Sequence, residues 1–349
     1  MATSLIGSTA LFGTIAGQNN REDLVDLITL LDPYETPFYS MVQKGTALHT
    51  LHEWQTEALQ VTATGGGTQY AEGAAFSAAL INDRTRLNNL CEIFRKDIQV
   101  SNTQRAVRPA GIKDEYLHQV QVAIKEIGRD LENTLFQGVA GSATGATGTL
   151  RTMKTLRNFI TTNVFSTSST AIGCTGITFS GTSWALGEVM FNSTLEQCFL
   201  RGGRVDTIFV NGSTKRQVSR FGAAISGGSA IVRRDIGASE KKLVASVDTY
   251  DGDFGVVTVI LDRWVGQTEG GSGLGTVNPS NRAFFLQMDA WEVAVLRPLK
   301  HVPLPPNGDA VRGMILSELT LVSYAERWNA SIDNIATKLN PTSDGTVQS

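Results

Sequence analysis

Between Pro109 and Gly138 apolar residues recur at spacings of three and four: Leu117, Val120, Ile124, Ile127, Leu131 and Leu135. That is the period of a helix with one apolar face, and Lys113, Asp114, Glu126, Arg129 and Glu132 fall mostly off it. Pro109 can open such a helix and Gly138 can close it. At 1.5 Å per residue it is a rod of roughly 40 Å, long for a compact domain. One narrow apolar face on so long a rod predicts a spine packed against its own late strands.

Residues 1–20 read as an extended arm. Arg21 to Leu31 is a short amphipathic helix with Leu24, Leu27, Ile28 and Leu31 on one side, ended by Asp32-Pro33. From Thr46 to Leu59 and again from Arg86 to Val100 the pattern alternates as in strands, with a Gly-, Ala- and Thr-rich span at 61–79 between them. Two arms of about fourteen residues extend roughly 45 Å each. Their apolar residues are scattered over both faces, and such a hairpin is not stable alone. It calls for another surface, and a neighbouring copy of the chain is the expected source.

Beyond the spine, Leu150 to Ile160 reads as a short helix. Thr182 to Arg201 reads as a second clear one, with Leu186, Val189, Met190, Leu195 and Phe199 as its apolar residues. Thr182 or Ser183 is its cap, and Gly202-Gly203 closes it. Val205 to Val210 is a buried strand and Ser213 to Phe221 a helix. Lys241 to Tyr250 and Phe254 to Val265 are strands about a turn at Asp251-Gly252. A Gly-rich loop, Gly266 to Asn281, leads to strand-like runs at Arg282 to Leu296 and Met314 to Ala325, and a polar tail follows. No internal repeat is evident.

Charge changes the picture only locally. In 349 residues, Lys+Arg 30 against Asp+Glu 33 gives a net of -3, which argues against a protein dedicated to coating nucleic acid. Yet Glu22 to Glu57 holds seven acids and one lysine, whereas Arg201 to Lys242 holds nine basic residues and three acids. Each run can be a solvated face; alternatively the acidic region of one copy meets the basic region of another. On the second reading Glu53, Glu57, Arg233 and Arg234 are candidate interface residues. Cys91, Cys174 and Cys198 are odd in number and far apart, so no disulfide framework or zinc site is indicated, and a reducing compartment fits. A secretory signal is not expected, and no stretch approaches the ~20 apolar residues of a membrane span.

Catalytic patterns are missing. No G-x-x-x-x-G-K-[ST] occurs, so Gly65 to Gly67 and Gly271 to Gly275 read as loops. Asp253-Phe254-Gly255 spells a kinase triplet without the H-R-D loop it needs, and Gly181 to Ala185 misses the nucleophile elbow at its last position. His49 and His52 sit three apart, on opposite faces of a strand, which does not suit a shared metal. Tyr70, Phe76, Trp184 and Trp264 do not interleave with basic residues as a base-stacking platform would. No catalytic, cofactor-binding or metal site is assigned.

A series of short motifs then runs from end to end: Arg21-Glu22-Asp23-Leu24, Glu35-Thr36-Pro37-Phe38, His52-Glu53-Trp54-Gln55, Glu72-Gly73 and Phe94-Arg95-Lys96. Gly128-Arg129-Asp130-Leu131-Glu132, Tyr250 with Asp253-Phe254-Gly255, Leu296-Arg297-Pro298, Gly308-Asp309 and Glu318-Leu319-Thr320-Leu321 complete it. In this order they resemble the major capsid proteins of tailed bacteriophages with the Hong Kong 97 fold. The resemblance implies an α+β chain with an N-terminal arm (1–43), an extended β-hairpin loop (44–100), a peripheral domain (101–149 and 282–349, with the spine helix 109–138) and an axial domain (150–281). It implies a structural, non-enzymatic role: self-assembly into pentameric and hexameric capsomers of an icosahedral head around double-stranded DNA.

The partners implied are other copies, a portal, scaffolding or decoration proteins and non-specific contact with packaged DNA, with no membrane. The place implied is the virion, assembled in the host cytoplasm. Trp54 is the expected packing anchor of the extended loop, and Leu24, Leu27 and Ile28 are expected to dock the arm. Some relatives of the fold crosslink a loop lysine to a neighbour, but no lysine lies between Lys44 and Lys96, so no such crosslink is expected. The competing expectation is a soluble mixed α/β enzyme with an unrecognised site.

Overall fold

The computed structural model describes residues 30, 32–59, 71–75, 83–107, 111–137, 150–165, 186–219, 221, 248–265, 281–306 and 308–335. The expected helix Arg21 to Leu31 apart from Leu30, the start of the strand at Lys241 and nearly all of the Gly266 to Asn281 loop lie outside them; the helix expected from Thr182 starts instead at Glu188, with Gly187 rather than Thr182 or Ser183 as its N-cap.

In chain order the first part comprises α1 (Pro37–Met41), β1 (Gln43–Thr46), β2 (Leu51–Thr56), β3 (Thr85–Leu90), β4 (Glu92–Ser101), α2 (Asn102–Ala106) and α3 (Glu115–Gln137). There follow α4 (Leu156–Phe159), β5 (Val164–Phe165), α5 (Glu188–Leu200), β6 (Thr207–Val210), α6 (Gly212–Val218), β7 (Thr249–Gly252) and β8 (Gly255–Leu261). The last elements are β9 (Asn281–Leu286), β10 (Trp291–Leu304), β11 (Ala310–Ser323) and β12 (Ala330–Ile335), with single 3-10 turns after β9 and β11.

The spine α3 starts later than Pro109. Gly111 has φ of 77°, a left-handed geometry that ends any helical run there. Asp114 then caps the helix: its Oδ1 accepts from the Tyr116 N–H at 2.9 Å, and its carbonyl from the His118 N–H at 3.1 Å. The buried line is also not the expected one. Leu131 and Leu135 are buried, but further up burial follows the i−4 row through Ile127 and Ala123, while Leu117 and Ile124 are exposed. A strict seven-residue line stays nearly straight on a helix, whereas an i+4 row winds about it. The rod lies across a twisted sheet, so its contact winds with the row. Ala123 and Ile127 pack there on Ile98 of β4 and Ile315 of β11, with Phe94, Tyr116 and Val120 around them.

That sheet has four strands in the order β1-β10-β11-β4. The expected strand at Arg86 to Val100 is divided into β3 and β4, and the one at Thr46 to Leu59 is shortened to β2 with β1 ahead of it. Their roots, β1 and β4, join β10 and β11, and only β2 and β3 pair with each other, Trp54 opposite Leu87. The division falls at Cys91, which is wholly buried and whose N–H donates to the Thr50 carbonyl at 2.8 Å. The paired part spans roughly 20 Å per strand rather than 45. At the change of partner Asn89, Leu90 and Cys91 are buried in succession, and the alternation resumes along β4.

The second sheet has six strands, β5-β12-β9-β6-β8-β7, against which α5 and α6 pack. β9 and β12, assigned from the sequence to the peripheral domain, belong to this sheet, and β1 and β4, assigned to the extended loop, belong to the other. A division by contiguous range cuts through both sheets because their strands are far apart in sequence. Residues 330–335, expected within a polar tail, form the buried strand β12. The β7–β8 turn is Asp253-Phe254, two residues beyond the expected position, with Gly255 at φ of 117°. α6 starts on Asn211, whose side chain accepts from the Thr214 N–H at 3.0 Å. The two sheets and the lower end of α3 share one core, where Phe38, Leu131, Leu135, Phe136, Phe209, Phe284 and Trp291 meet.

Candidate assembly interface

Trp54 lies on the face of the β2–β3 ribbon that turns back to the body. It is buried with Ala47, Cys91, Ala294 and Val322, its ring is 6.2 Å from that of Phe159, and its indole N–H donates to the Ser323 carbonyl at 2.9 Å. The sequence had suggested Trp54 as the packing anchor of the extended loop. Within this subunit it fastens the ribbon to the four-stranded sheet. Asn89 does the same from β3, donating to the Leu321 carbonyl at 2.6 Å and accepting from the Lys154 N–H at 2.8 Å.

Glu53 and Glu57 face solvent and are each met by an arginine of the opposite arm, Glu53 by Arg86 at 3.5 Å and Glu57 by Arg84 at 3.2 Å. Exposed pairs of this kind contribute about 0–1 kcal/mol each and act mainly by orienting the ribbon. Leu24, Leu27, Ile28, Arg233 and Arg234 lie outside the described residues, so no geometry joins them to these acids.

Outward-facing apolar residues form two further groups. Leu117 and Ile124 lie along the spine, while Val189, Phe199 and Leu200 are on α5 and Val256 is on β8. The Phe199 ring is 5.7 Å from Phe254 of the β7–β8 turn. Solvated Leu and Phe in such groups are characteristic of surfaces that become covered.

Two buried polar groupings hold the frame. Glu318 of β11, almost fully buried, is met by Arg151 at 2.5 Å and by Arg297 at 2.7 Å, which fastens the chain after the spine to the four-stranded sheet. Glu132 of α3 is wholly buried. Its Oε1 accepts from the Phe38 N–H at 2.7 Å and its Oε2 from the Tyr39 N–H at 2.8 Å, so it caps α1 from another element. Facing it is Asp262, just after β8, whose Oδ1 accepts from the Trp264 N–H at 2.8 Å. Burial first, then the Asp262 charge, raises Glu132 to about 8; burial likewise raises Asp262 to about 6. From the sequence Glu132 was simply one of the charges off the apolar stripe. A carboxylate one residue from a buried leucine gives no periodic signal of its own.

His49 and His52 share no metal site: His49 accepts from the Leu51 N–H at 3.2 Å, and the His52 ring is 6.0 Å from that of Trp54. Among the described residues no group of three His, Cys, Asp or Glu side chains is placed to hold a metal. No helix among them is long and apolar enough to cross a membrane.

Solved structures share this fold. The chain is similar to the holo-SrpI encapsulin complex from Synechococcus elongatus PCC 7942, with 10% identity and a TM-score of 0.54, covering 92% of this chain and 94% of that one. It is similar to a structure from Gordonia phage Cozz, with 12% identity and a TM-score of 0.59, covering 92% and 93%. It is also similar to the capsid of the native GTA particle, with 10% identity and a TM-score of 0.59, covering 95% and 100%. Identities this low define the fold alone, and that fold is the α+β Hong Kong 97 capsid fold.

The sequence narrows the class. The family model for SU10 major capsid protein matches residues 9–336, and the chain belongs to that family. The major capsid protein of Escherichia phage Phieco32 is 30% identical over 135 residues, 39% of this chain and 38% of that protein. The aligned segment thus spans well under half the length of that relative. A structural role in a phage capsid goes with the family.

Proposed function

We propose that the chain is the principal subunit of a tailed-phage head, in which copies associate into pentameric and hexameric capsomers and close an icosahedral shell around double-stranded DNA. The observation that carries the reading is the β2–β3 ribbon. Among the described residues the ribbon has two strands, β2 and β3, and Leu59, three residues past β2, is almost fully exposed. A ribbon of this kind is not stable alone, and the surface of an adjacent copy would supply what it lacks. Each contact is modest, and the closed lattice makes the contacts mutually dependent.

In this reading residues 1–43 are the arm, docked through Leu24, Leu27 and Ile28, and the extended loop lies within 44–100. The spine and the four-stranded sheet form the peripheral body, and the six-stranded sheet with α5 and α6 forms the axial one. Opposite charge at 22–57 and 201–242 supports contact between copies. Since Glu53 and Glu57 already face arginines, Arg233 and Arg234 of a neighbour would join a network rather than form isolated pairs. The remaining partners are a portal, scaffolding or decoration proteins and packaged DNA held without base recognition. Assembly takes place in the host cytoplasm, and the role is structural and not catalytic.

Expression with the phage's own assembly partners, followed by size-exclusion chromatography and negative-stain microscopy, tests the reading. Closed shells or capsomers are expected. A chain that stays a compact monomer in that company overturns it.

A further inference from the structure

The end of the arm is held at a point where two buried acids meet. Glu132 and Asp262 are 0% and 1% exposed. Asp262 Oδ2 finds no N–H or O–H partner among the described residues. A hydrogen bond between the two carboxyls therefore needs a proton carried by one of them. The same few residues connect three elements. Glu132 on the spine holds the Phe38 and Tyr39 N–H groups of α1. The chain that follows Asp262 reaches the same segment, since the Trp264 indole N–H donates to the Glu35 carbonyl at 3.0 Å.

We propose that the Glu132–Asp262 carboxyl pair is a proton-held latch, closing the segment Glu35 to Met41 onto the spine and the six-stranded sheet while one proton is shared, and releasing it when that proton is lost.

The first negative charge falls on Asp262, whose Oδ1 accepts from the Trp264 N–H, while Glu132 keeps the shared proton. A second, on Glu132, lies buried against the first. The cations nearest the pair among the described residues are engaged elsewhere. Arg263 is drawn to Glu35 at 3.7 Å, and Arg129 lies against Asp130 at 3.7 Å and over the Trp264 ring. Glu35 itself adds negative charge beside Asp262. Among the described residues Lys44 lies near enough to Glu132 for the two charges to interact; its ammonium lies over the Tyr39 ring and donates to the Tyr39 carbonyl. As pH rises through the range in which Glu132 titrates, the pair goes from one negative charge to two, and exposing the carboxyls to water by lifting residues 35–41 becomes the favourable relief.

The latch is a property of one chain and does not depend on the shell reading. Its test is hydrogen exchange of the Phe38 and Tyr39 amides in the purified full chain, expressed as protection factors from about pH 6 to 9.5. Protection in the wild type should drop at least about tenfold across pH 8, with the rest of the spine unchanged. Asp262→Asn supplies an amide N–H to Glu132 in place of the shared proton and leaves both Glu132 oxygens to the Phe38 and Tyr39 N–H groups. This variant should stay protected to a pH at least about one unit higher. Flat protection in the wild type, or a variant that opens at the wild-type pH, overturns the proposal. If the variant does not fold, the wild-type profile alone decides.

Discussion

The Trp54 indole reaches the Ser323 carbonyl across 269 residues of sequence, a 2.9 Å hydrogen bond that makes the root of the ribbon part of the four-stranded sheet. A residue chosen from the sequence as a contact between copies is thus first a contact within one.

Trp54→Ala should therefore destabilise the unassembled subunit, by about 3 kcal/mol, through loss of buried surface and a residual cavity. Trp54→Phe keeps most of the ring but leaves the Ser323 carbonyl unpaired, at a cost of about 1–2 kcal/mol. Urea unfolding of the subunit measures both. An alanine variant of wild-type stability that fails only in assembly would return Trp54 to the interface.

The carboxyl pair sets a sign for stability against pH. Both groups have folded-state values above their unfolded ones, so the folded chain holds protons that the unfolded chain has released, and stability falls as pH rises. The contribution is fully present below the ordinary carboxylate range. It is lost on the way up through about 6 for Asp262 and about 8 for Glu132. Melting temperature measured from pH 5 to 9 should decline less steeply in Glu132→Gln than in the wild type.

Gly203 follows α5 where the chain turns, and a Cβ there would sit 2.6 Å from the Trp328 Cα and carbonyl oxygen. Backbone cannot swing aside as a flexible side chain can. Gly203→Ala should cost about 1–3 kcal/mol. Gly187, at the opposite end of α5, has nothing within 4 Å of a Cβ and sits at the N-cap with an ordinary φ of -99°. Gly187→Ser should gain about 0.3 kcal/mol by capping. Thermal denaturation of the two variants checks the contrast.

No lysine lies between Lys44 and Lys96, and both of those are occupied at the root of the ribbon. Lys44 is held against Tyr39, and Lys96 meets Asp130 at 3.2 Å and Glu126 at 3.6 Å. Mature shells boiled in detergent should run as monomer on a denaturing gel. A ladder of higher bands would contradict this.

What was legible in the sequence is what repeats locally. The spine, the α5 helix, the alternating arms of the hairpin and the late strands each carry a period over enough residues to be read, because a helix or strand presents one face to whatever covers it. The order of short motifs carried the family. The residues that hold the parts together carry no period. Glu132 lies in a stretch of helix whose other charges face water, and only the arrival of α1 makes its two oxygens a cap. Asn89 and Asp262 are likewise single polar residues whose partners are distant in sequence.

The sequence by itself determined the elements, their amphipathic faces and membership of a capsid family. Tertiary structure decided which strands pair, since β1 and β4 adjoin β2 and β3 in sequence yet hydrogen-bond to strands more than 200 residues away. It decided that Ala123 rather than Ile124 faces the sheet, because a contact across a twisted surface winds about the helix. It also decided that two carboxyls meet at the end of the arm. Periodicity reports the face an element must bury, whereas partners brought together by the whole fold determine what that face meets.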